Sequence, residues 1–337
     1  MRYLITGGAG FIGSHLAEAL VARGDHVVVL DNLSTGRSKN LAEIADAVEF
    51  VHGSVLDSLL VDEWVARSDI VVHLAAAVGV QLIVDRPLRS LITNIRGSEN
   101  LLEAAHRYRT KILIASTSEI YGKNQKASFR EDDDQVLGSP GVSRWSYSTS
   151  KAVDEILAFA YHREKRLPTV VFRLFNTVGP RQTGAYGMVV PRLVEQALNG
   201  GPLTVYGDGL QSRCFCHVSD VVEALLILLH EPRAEGDVFN IGSTEEVSIL
   251  ELAQKIAHAT DTNPEIARIP YEKAYGEGFE DMRRRVPDTS KLRDLTGWEP
   301  CYRLDEIIAD VIGEQRAEME KGAEMVAVSP VRGPTRE

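Results

Sequence analysis

The amino-acid sequence predicts an α/β protein built on a parallel, doubly wound sheet. Short β-branched runs alternate with longer helical patterns through the first half of the chain, and this interval is typical of βαβ units. The first run leads directly into a glycine-rich turn and then into a helical pattern. A sheet of this kind binds its ligand beyond the carboxyl ends of the strands, where the strand order reverses. The predicted strands are Tyr3–Ile5, His26–Leu30, Glu49–Val51, Ile70–His73, Lys111–Ala115 and Thr169–Arg173.

The turn after the first strand has the spacing of a Rossmann-type dinucleotide site. Gly7, Gly10 and Gly13 permit a tight turn, a close approach of the backbone to a pyrophosphate, and close packing of helix on strand. The second strand is followed by Asp31, where a carboxylate can bond an adenosine ribose and repel a 2′-phosphate. The sequence therefore predicts NAD in preference to NADP.

The second half of the chain is less regular. After Asn176 the alternation gives way to segments that carry Gly and Pro, which favours a smaller, mixed α/β substrate domain on the C-terminal side. Residues 217–230 have apolar helical spacing, and we expect them to return to the first domain. The expected division is an NAD-binding domain over 1–176 with a returning segment near 215–240, a substrate-binding region over 177–315, and a mobile tail over 318–337.

Charge and composition exclude several classes of function. The chain of 337 residues carries 37 basic and 48 acidic side chains, a net charge of −11, which argues against the broad basic face of a nucleic-acid-binding protein. No apolar run reaches the roughly 18 residues of a membrane span, and the first residues enter a folded motif instead of a signal peptide. We therefore expect a cytoplasmic protein with no metal site, whose Cys214, Cys216 and Cys301 are reduced.

A candidate catalytic pair lies on a predicted helix. Tyr147 and Lys151 are four residues apart and hence on one helix face, where the ammonium can lower the pKa of the phenol. A free phenol, with a pKa near 10, is a poor base at neutral pH. A tyrosinate stabilised by Lys151 can accept a hydroxyl proton while a hydride leaves the same carbon.

These motifs together resemble the extended short-chain dehydrogenase/reductase family, and within it the nucleotide-sugar epimerases, dehydratases and decarboxylases. The resemblance implies a tightly held NAD, a nucleoside diphosphate sugar in the C-terminal region, and a homodimer formed through helices of the first domain. The segments that carry it are Thr6–Gly13, Asp31–Ser34, His73–Ala76, Asn94, Tyr147 with Lys151, Arg173–Asn176, Gly179–Arg181 and Gly297–Pro300. The cofactor-binding residues that it implies are Gly7, Gly10, Phe11, Ile12, Gly13, Asp31, Asn32, Val55, Ala75, Asn94 and Lys151.

The end of the fifth predicted strand distinguishes among the sister reactions. Glu119 places a carboxylate after Thr117 and Ser118, where 4-epimerases of the family usually have only small hydroxyl residues. A Ser-Glu pair at this point is similar to UDP-glucuronate decarboxylases and to GDP-mannose 4,6-dehydratases. The segments that resemble the decarboxylases are Arg144–Lys151, Gln211–Phe215 and Arg285–Asp288. The resemblance thus implies an NAD-dependent UDP-glucuronate decarboxylase, which is a carboxy-lyase.

The chemistry of that reaction assigns roles around the sugar C4. Oxidation of the C4 hydroxyl makes a ketone β to the C5 carboxylate, so carbon dioxide can leave while electrons flow into a C4 enolate. Tyr147 would take the C4 proton, while Lys151 would tune the phenol and hold the nicotinamide ribose. Thr117 or Ser118 would bond the C4 oxygen as charge develops. Hydride return would give UDP-xylose, and early release would give the UDP-4-keto-pentose.

Further residues are expected at C5 and along the UDP group. Glu119 and Arg213 are candidates for orienting the carboxylate or for protonating the enolate carbon. Arg213 is alternatively a phosphate ligand, because a guanidinium suits either anion. Arg285 is expected on the diphosphate, helped by the Asn176 amide. The full set of predicted substrate-binding residues is Asn176, Arg192, Val205, Tyr206, Arg213 and Arg285, of which Val205 and Tyr206 would shape the uracil pocket.

Two other interpretations stay open at this point. The same scaffold could carry a nucleotide-sugar 4,6-dehydratase or a UDP-sugar 4-epimerase. More remotely, the chain could be a catalytically silent nucleotide-binding module, against which the presence of both Tyr147 and Lys151 argues. His73, at the end of the fourth predicted strand, is expected to be a packed residue instead of a catalytic base.

Overall fold

A seven-stranded parallel sheet lies at the centre of the computed structural model, which describes residues 1–79, 86–184, 188–262, 264–275 and 282–328. The α/β class and the parallel sheet predicted from the sequence are confirmed. The strands are β1 Arg2–Thr6, β2 His26–Asp31, β3 Val48–His52, β4 Ile70–His73, β5 Lys111–Thr117, β6 Thr169–Leu174, β7 Thr177–Val178, β8 Leu203–Tyr206, β9 Ser212–Cys214, β10 Cys216–His217, β11 Asp237–Ile241, β12 Glu246–Ser248, β13 Ile266–Ile269 and β14 Arg284–Arg285. The helices are α1 Phe11–Ala22, α2 Ser58–Ala66, α3 Pro87–Tyr108, α4 Ser146–Lys165, α5 Val189–Leu198, α6 Val218–His230, α7 Ile249–Thr260, α8 Tyr271–Tyr275, α9 Ser290–Thr296 and α10 Leu304–Val328.

The strand order determines where a ligand can bind. Across the sheet the order is β11-β6-β5-β4-β1-β2-β3, and every neighbouring pair is parallel. The direction of strand progression reverses between β1 and β4. The carboxyl ends of these two strands therefore border the crevice where doubly wound sheets bind their ligands.

Alternate residues of β1 enter two different apolar layers. Tyr3 and Ile5 pack in the layer formed with α1 and α6, whereas Leu4 packs in the layer formed with α2 and α3. All three side chains are fully buried. A parallel strand covered on both faces needs an unbroken apolar run, and this is why the inner strands could be recognised in the sequence.

The residues after Asn176 build a second apolar core beside the sheet. Helices α5, α7 and α10 pack around it together with β8. Two small sheets, β13-β8 and β12-β9-β14, belong to this region. The parallel register of β9 with β14 pairs Arg213 with Arg285, so two candidate anion ligands lie side by side.

The chain then returns to the large sheet. Helix α6 packs on α1, and β11 pairs with β6 at the edge of the sheet. Helix α10 continues to Val328, so the first part of the predicted tail, residues 318–328, is helical. Glu, Met, Lys and Ala dominate that stretch, and these residues have high helix propensity. Residues 329–337 lie outside the described part of the chain, and the domain boundaries themselves stay a prediction.

The described helices and cysteines bear on two further expectations. None of the helices within the described ranges combines the length and apolar character needed to cross a bilayer. Cys214 and Cys216 are buried, Cys301 is exposed, and all three thiols are free.

Candidate active site

The turn between β1 and α1 requires glycine because side chains there would collide with the backbone. Gly7 has a left-handed φ of 72°, and a Cβ on it would lie 2.7 Å from the amide nitrogen of Ala75. A Cβ on Gly13 would lie 2.3 Å from the carbonyl oxygen of Gly7. Gly10 precedes α1 and supplies no side-chain cap, so its position leaves room beside the first N–H groups of the helix. This geometry fits the pyrophosphate of a dinucleotide.

Asp31 ends β2 and is bonded to the glycine turn. Its Oδ2 accepts a hydrogen bond from the Ala9 amide at 3.0 Å, and its Oδ1 accepts one from the Leu33 amide at 2.8 Å. Burial raises the pKa of the Asp31 carboxyl, and these two hydrogen bonds oppose the rise. Asn32, the next residue, is exposed and accepts from the Ser34 amide. Asp31 thus also holds the two loops together, a role that the sequence motif does not reveal.

Asn94 connects the loop after β4 to the helix of the candidate catalytic pair. Its Oδ1 accepts from the Ala77 amide at 2.8 Å, and its Nδ2 donates to the Ser150 hydroxyl at 3.1 Å. Val55 is buried against Gly97 of α3, where a Cβ would lie 2.7 Å from the valine side chain. The remaining predicted cofactor contacts, Phe11, Ile12 and Ala75, are half-buried beside the glycine turn.

Tyr147 and Lys151 lie in the first turns of α4 and are 7% and 2% exposed. The Lys151 ammonium donates to Asp154 Oδ2 at 2.5 Å. Burial raises the pKa of the Tyr147 phenol, and the carboxylates of Glu119 and Asp154 raise it further. The expectation that Lys151 lowers this pKa is therefore not met, because burial of the phenol dominates and the Lys151 ammonium is paired with Asp154.

The end of β5 brings a carboxylate beside this pair. Thr117 caps the short turn Ser118–Tyr121 by accepting from the Glu119 amide at 3.2 Å, and Ser118 is buried. Both Glu119 oxygens are bonded to the Arg144 guanidinium, with Nη2 to Oε1 at 3.0 Å. Burial alone would raise the pKa of Glu119, but the charges and hydrogen bonds of Arg144 and Arg285 outweigh it and lower that pKa. Glu119 is thus held as a carboxylate.

Arg285 links this carboxylate to the second region. Its Nη1 lies 3.5 Å from Glu119 Oε1, and its Nη2 donates to Asn176 Oδ1 at 2.7 Å. Asn176 in turn donates from Nδ2 to the Cys214 carbonyl at 2.7 Å. The Asn176 side chain therefore positions Arg285 as well as bordering the predicted diphosphate site. Arg213 is 6% exposed and is the register partner of Arg285.

Val205 and Tyr206, predicted to shape the uracil pocket, are placed differently from each other, and Arg192, a further predicted substrate-binding residue, lies beside Tyr206. The Arg192 guanidinium lies 4.5 Å from the Tyr206 ring centroid, and its Nη1 donates to the Thr204 carbonyl at 2.9 Å. Tyr206 is half-buried, which leaves part of its ring accessible. Val205, predicted to shape the uracil pocket, instead packs its side chain in the second apolar core. Strand alternation turns it inward, so only its backbone can contact a ligand.

Two residues of this site were missed by the sequence reasoning. Arg144 stands in the segment that resembles the decarboxylases, but its pairing with Glu119 joins positions that the sequence separates by 25 residues. Asp154 follows Lys151 at a helical spacing of three, and this spacing is a signal that could have identified it. Both side chains are almost fully buried, which the sequence pattern does not show.

Comparison with known proteins places this geometry in a family. Residues 4–311 match the family model described as GDP-mannose 4,6 dehydratase. The chain is 43% identical, over 92% of its length and 96% of the relative's, to UDP-N-acetyl-alpha-D-glucosaminuronate decarboxylase of Bacillus cytotoxicus. It is 37% identical, over 90% of its length, to UDP-glucuronic acid decarboxylase 4 of Arabidopsis thaliana, and it spans 66% of that longer protein.

A solved structure supports the same assignment. The crystallised UDP-glucose 4-epimerase of Thermus thermophilus, a complex with NAD, superimposes with a TM-score of 0.83 at 33% identity, covering 94% of this chain and 99% of the epimerase. The glycine turn and the Tyr147–Lys151 pair lie on a fold that the two proteins share. The chain therefore belongs to the GDP-mannose 4,6-dehydratase family of extended short-chain dehydrogenases/reductases.

Proposed function

We propose that this protein is an NAD-dependent decarboxylase of UDP-glucuronate that acts through a UDP-4-keto intermediate. The observation that carries the proposal is a pair of guanidinium groups close to Tyr147. Arg144 and Arg285 both contact Glu119, and the Arg144 charge acts on the Tyr147 phenol. Guanidinium groups at this place suit a substrate that itself carries a carboxylate, since an Arg fork pairs well with that group. The decarboxylase names of the relatives support the same reaction.

The residues at C4 perform the proton transfer. Bound NAD supplies the hydride acceptor for oxidation at C4 and the donor for the later reduction. Tyr147 accepts the proton of the C4 hydroxyl, and Lys151 holds the nicotinamide ribose beside it. Thr117 or Ser118 donates a hydrogen bond to the C4 oxygen, where negative charge develops. Both hydroxyls lie at the carboxyl end of β5, on the strand edge that faces the ligand crevice.

The residues at C5 act on the carboxylate. With a carbonyl at C4, the bond from C5 to the carboxyl carbon breaks, and its electron pair enters the C4 enolate as carbon dioxide leaves. Arg285, which the sequence places on the diphosphate, is assigned here to the carboxylate because it contacts Glu119 at 3.5 Å. Glu119 keeps its guanidinium in place. A proton from water then adds to C5 in place of the carboxyl group, and reduction at C4 completes UDP-xylose. Release before that reduction gives the UDP-4-keto-pentose.

The UDP group is held by residues of the second region. Arg213 lies in register with Arg285, and we infer that it binds the diphosphate from the position next to the reaction centre. Tyr206, with Arg192 on its ring, borders the uracil, while the Val205 backbone lies behind it. On the cofactor side, Asp31 bonds the adenosine ribose, and the glycine turn receives the pyrophosphate.

We further infer a homodimer in the cytoplasm. Helices α3 and α4 pack against each other along the outside of the sheet. Leu88 on α3 is 69% exposed and Ile156 on α4 is 65% exposed. Large apolar side chains at this exposure on neighbouring helices suit a helical interface between two copies. The free buried thiols of Cys214 and Cys216 accord with a reducing compartment.

A product assay tests the reaction and the sugar together. Purified protein is incubated separately with UDP-glucuronate, UDP-N-acetylglucosaminuronate, UDP-glucose and GDP-mannose, and the products are followed by mass spectrometry. We expect the mass of UDP-glucuronate to fall by one carbon dioxide. Loss of carbon dioxide from the N-acetylated substrate alone would move the assignment to the activity named for the Bacillus relative. Loss of water from either neutral hexose, or no change in any mass, would refute decarboxylation.

A further inference from the structure

We propose that Asp154 is a positioning residue, which holds the Lys151 ammonium beside Tyr147. This inference rests on the proposed function, in which Lys151 holds the nicotinamide ribose. It assigns a role to a carboxylate that the decarboxylation chemistry does not use.

The contact between Asp154 and Lys151 is the first observation. The Nζ–Oδ2 distance is 2.5 Å, and the two side chains are 0% and 3% exposed. The i,i+3 spacing on α4 keeps both groups on one helix face. A fully buried carboxylate needs a cation or several hydrogen bonds to remain charged, so each partner restrains the other.

Thr6, His73 and Ser98 form a buried hydrogen-bonded chain that ends at the Ser98 hydroxyl. The Thr6 hydroxyl lies 2.8 Å from His73 Nδ1, and His73 Nε2 lies 3.2 Å from the Ser98 hydroxyl. The Thr6 oxygen already accepts from the Ala75 amide at 3.3 Å, so we assign its own proton to Nδ1 of His73. This tautomer places the ring proton on Nε2 and leaves the Ser98 hydroxyl free to donate.

This chain stops short of Asp154: Oδ2 of that carboxylate accepts from Lys151, and Oδ1 is buried with no hydrogen-bond partner among the described residues. Burial raises the pKa of the Asp154 carboxyl, and the Lys151 charge opposes the rise. His73 stays neutral, because burial and the Lys151 charge lower its pKa to about 3. The chain therefore fixes position and does not relay protons: it ties the end of β1 to β4 and to α3.

The charges around Tyr147 show what Asp154 does to the reaction centre. Apart from burial, Glu119 and Asp154 raise the pKa of the phenol and Arg144 lowers it. Glu155, next to Asp154, is occupied by the Arg173 guanidinium. Removing the Asp154 charge therefore leaves the Lys151 ammonium uncompensated, which favours the Tyr147 phenolate and disfavours any further cation close to Lys151.

The test compares oxidised and reduced cofactor binding, because the nicotinamide ring is cationic only in NAD+. Affinities for NAD+ and NADH are measured by calorimetry for the wild type and for Asp154→Asn. We expect the variant to lose about tenfold in NAD+ affinity relative to NADH, as one added neighbouring charge implies. The acid limb of its kcat profile should move to lower pH by about one unit, since Tyr147 then ionises more readily. The matched control is Glu164→Gln on the same helix, where the side chain is 63% exposed, and it should change neither quantity.

An unchanged NAD+/NADH affinity ratio in folded Asp154→Asn overturns the proposal. Asp154→Glu keeps the charge and moves the carboxylate by one methylene group, so it tests the position of the Lys151 ammonium. We expect it to retain the affinity ratio and to lose about threefold in kcat with KM unchanged, so wild-type kcat would refute the positioning role. It also keeps the proposal testable if Asp154→Asn does not fold. The binding ratio needs no sugar substrate, so it stays informative even if UDP-glucuronate proves not to be decarboxylated.

Discussion

Arg144→Met is the most informative single perturbation of the candidate site. The substitution removes the guanidinium that contacts both Glu119 oxygens and keeps an apolar side chain against Trp145, over whose ring the guanidinium now lies at 5.8 Å. In the wild type the side chains of Arg144 and Glu119 are 3% and 13% exposed. The variant therefore leaves a carboxylate that is largely shielded from water without its principal partner.

The expected cost follows from the two arginine contacts of Glu119. Unit charges 3.0 Å apart, the Nη2–Oε1 distance, interact by roughly 5 kcal/mol at an effective dielectric constant of about 20. Desolvation of Arg144, which Met does not require, offsets part of this energy. Arg285, at 3.5 Å, still compensates some of the Glu119 charge. We therefore expect the free energy of unfolding at pH 7 to fall by about 3 kcal/mol, at the lower end of the range for broken buried pairs.

The pH dependence of this loss has a definite sign. In the wild type the two arginines lower the pKa of Glu119 below its ordinary 4.5. This contribution to stability is present above that value and is lost as the pH falls through the lowered folded-state pKa. In the variant the folded-state pKa rises, because burial is no longer outweighed. The difference in stability between wild type and variant should thus shrink as the pH falls from 7 toward 4.

Urea denaturation at pH 7 and near pH 4 measures the loss in the free energy of unfolding and its dependence on pH. Steady-state kinetics on UDP-glucuronate measures the effect of the substitution on activity. The double variant Arg144→Met with Glu119→Gln should recover most of the lost stability, because the uncompensated charge is gone. A loss below about 1 kcal/mol at pH 7 would mean that solvent or Arg285 satisfies Glu119. A loss that is equally large in the Glu119→Gln background would refute the ion-pair explanation.

Four other outcomes test the remaining assignments. Tyr147→Phe should lower kcat at least about 1,000-fold and leave calorimetric NAD affinity within about twofold; retention of more than a tenth of the turnover would exclude the phenol as the base. Arg285→Lys should raise KM for UDP-glucuronate about tenfold, since an ammonium cannot contact Glu119, Asn176 and a carboxylate in one plane; steady-state kinetics with an unchanged KM would contradict this. Asp31→Asn should weaken NAD binding about tenfold and reduce the preference of the protein for NAD over NADP. Calorimetry that shows the wild-type preference would exclude Asp31 from the ribose site. Ile156→Arg should give a monomer by light scattering, whereas an unchanged dimer mass would move the interface away from α4.

Local features of the sequence predicted much of the fold and part of the site. The predicted strands in the first half of the chain correspond to β1–β6. The inner strands are buried on both faces and leave largely apolar runs, whereas the edge strand β3 is mostly exposed. The glycine spacing is required by close backbone approaches at Gly7 and Gly13. Tyr147 and Lys151 lie on one face of a helix, as a spacing of four dictates.

Long-range contact and burial decided the rest. Glu119 meets Arg285 across 166 residues of sequence, a proximity created only when β14 aligns with β9. The pKa of Tyr147 is raised where the sequence predicted that it would be lowered. The sequence shows the nearby Lys151 but not the burial of the phenol or the pairing of the ammonium with Asp154. Val205 turned into the core for a similar reason: a short strand does not reveal which of its faces the second region covers. The sequence by itself determined the type of fold and the chemistry available to it, and tertiary packing decided which charges meet, because electrostatic energies depend on distance and exposure to water.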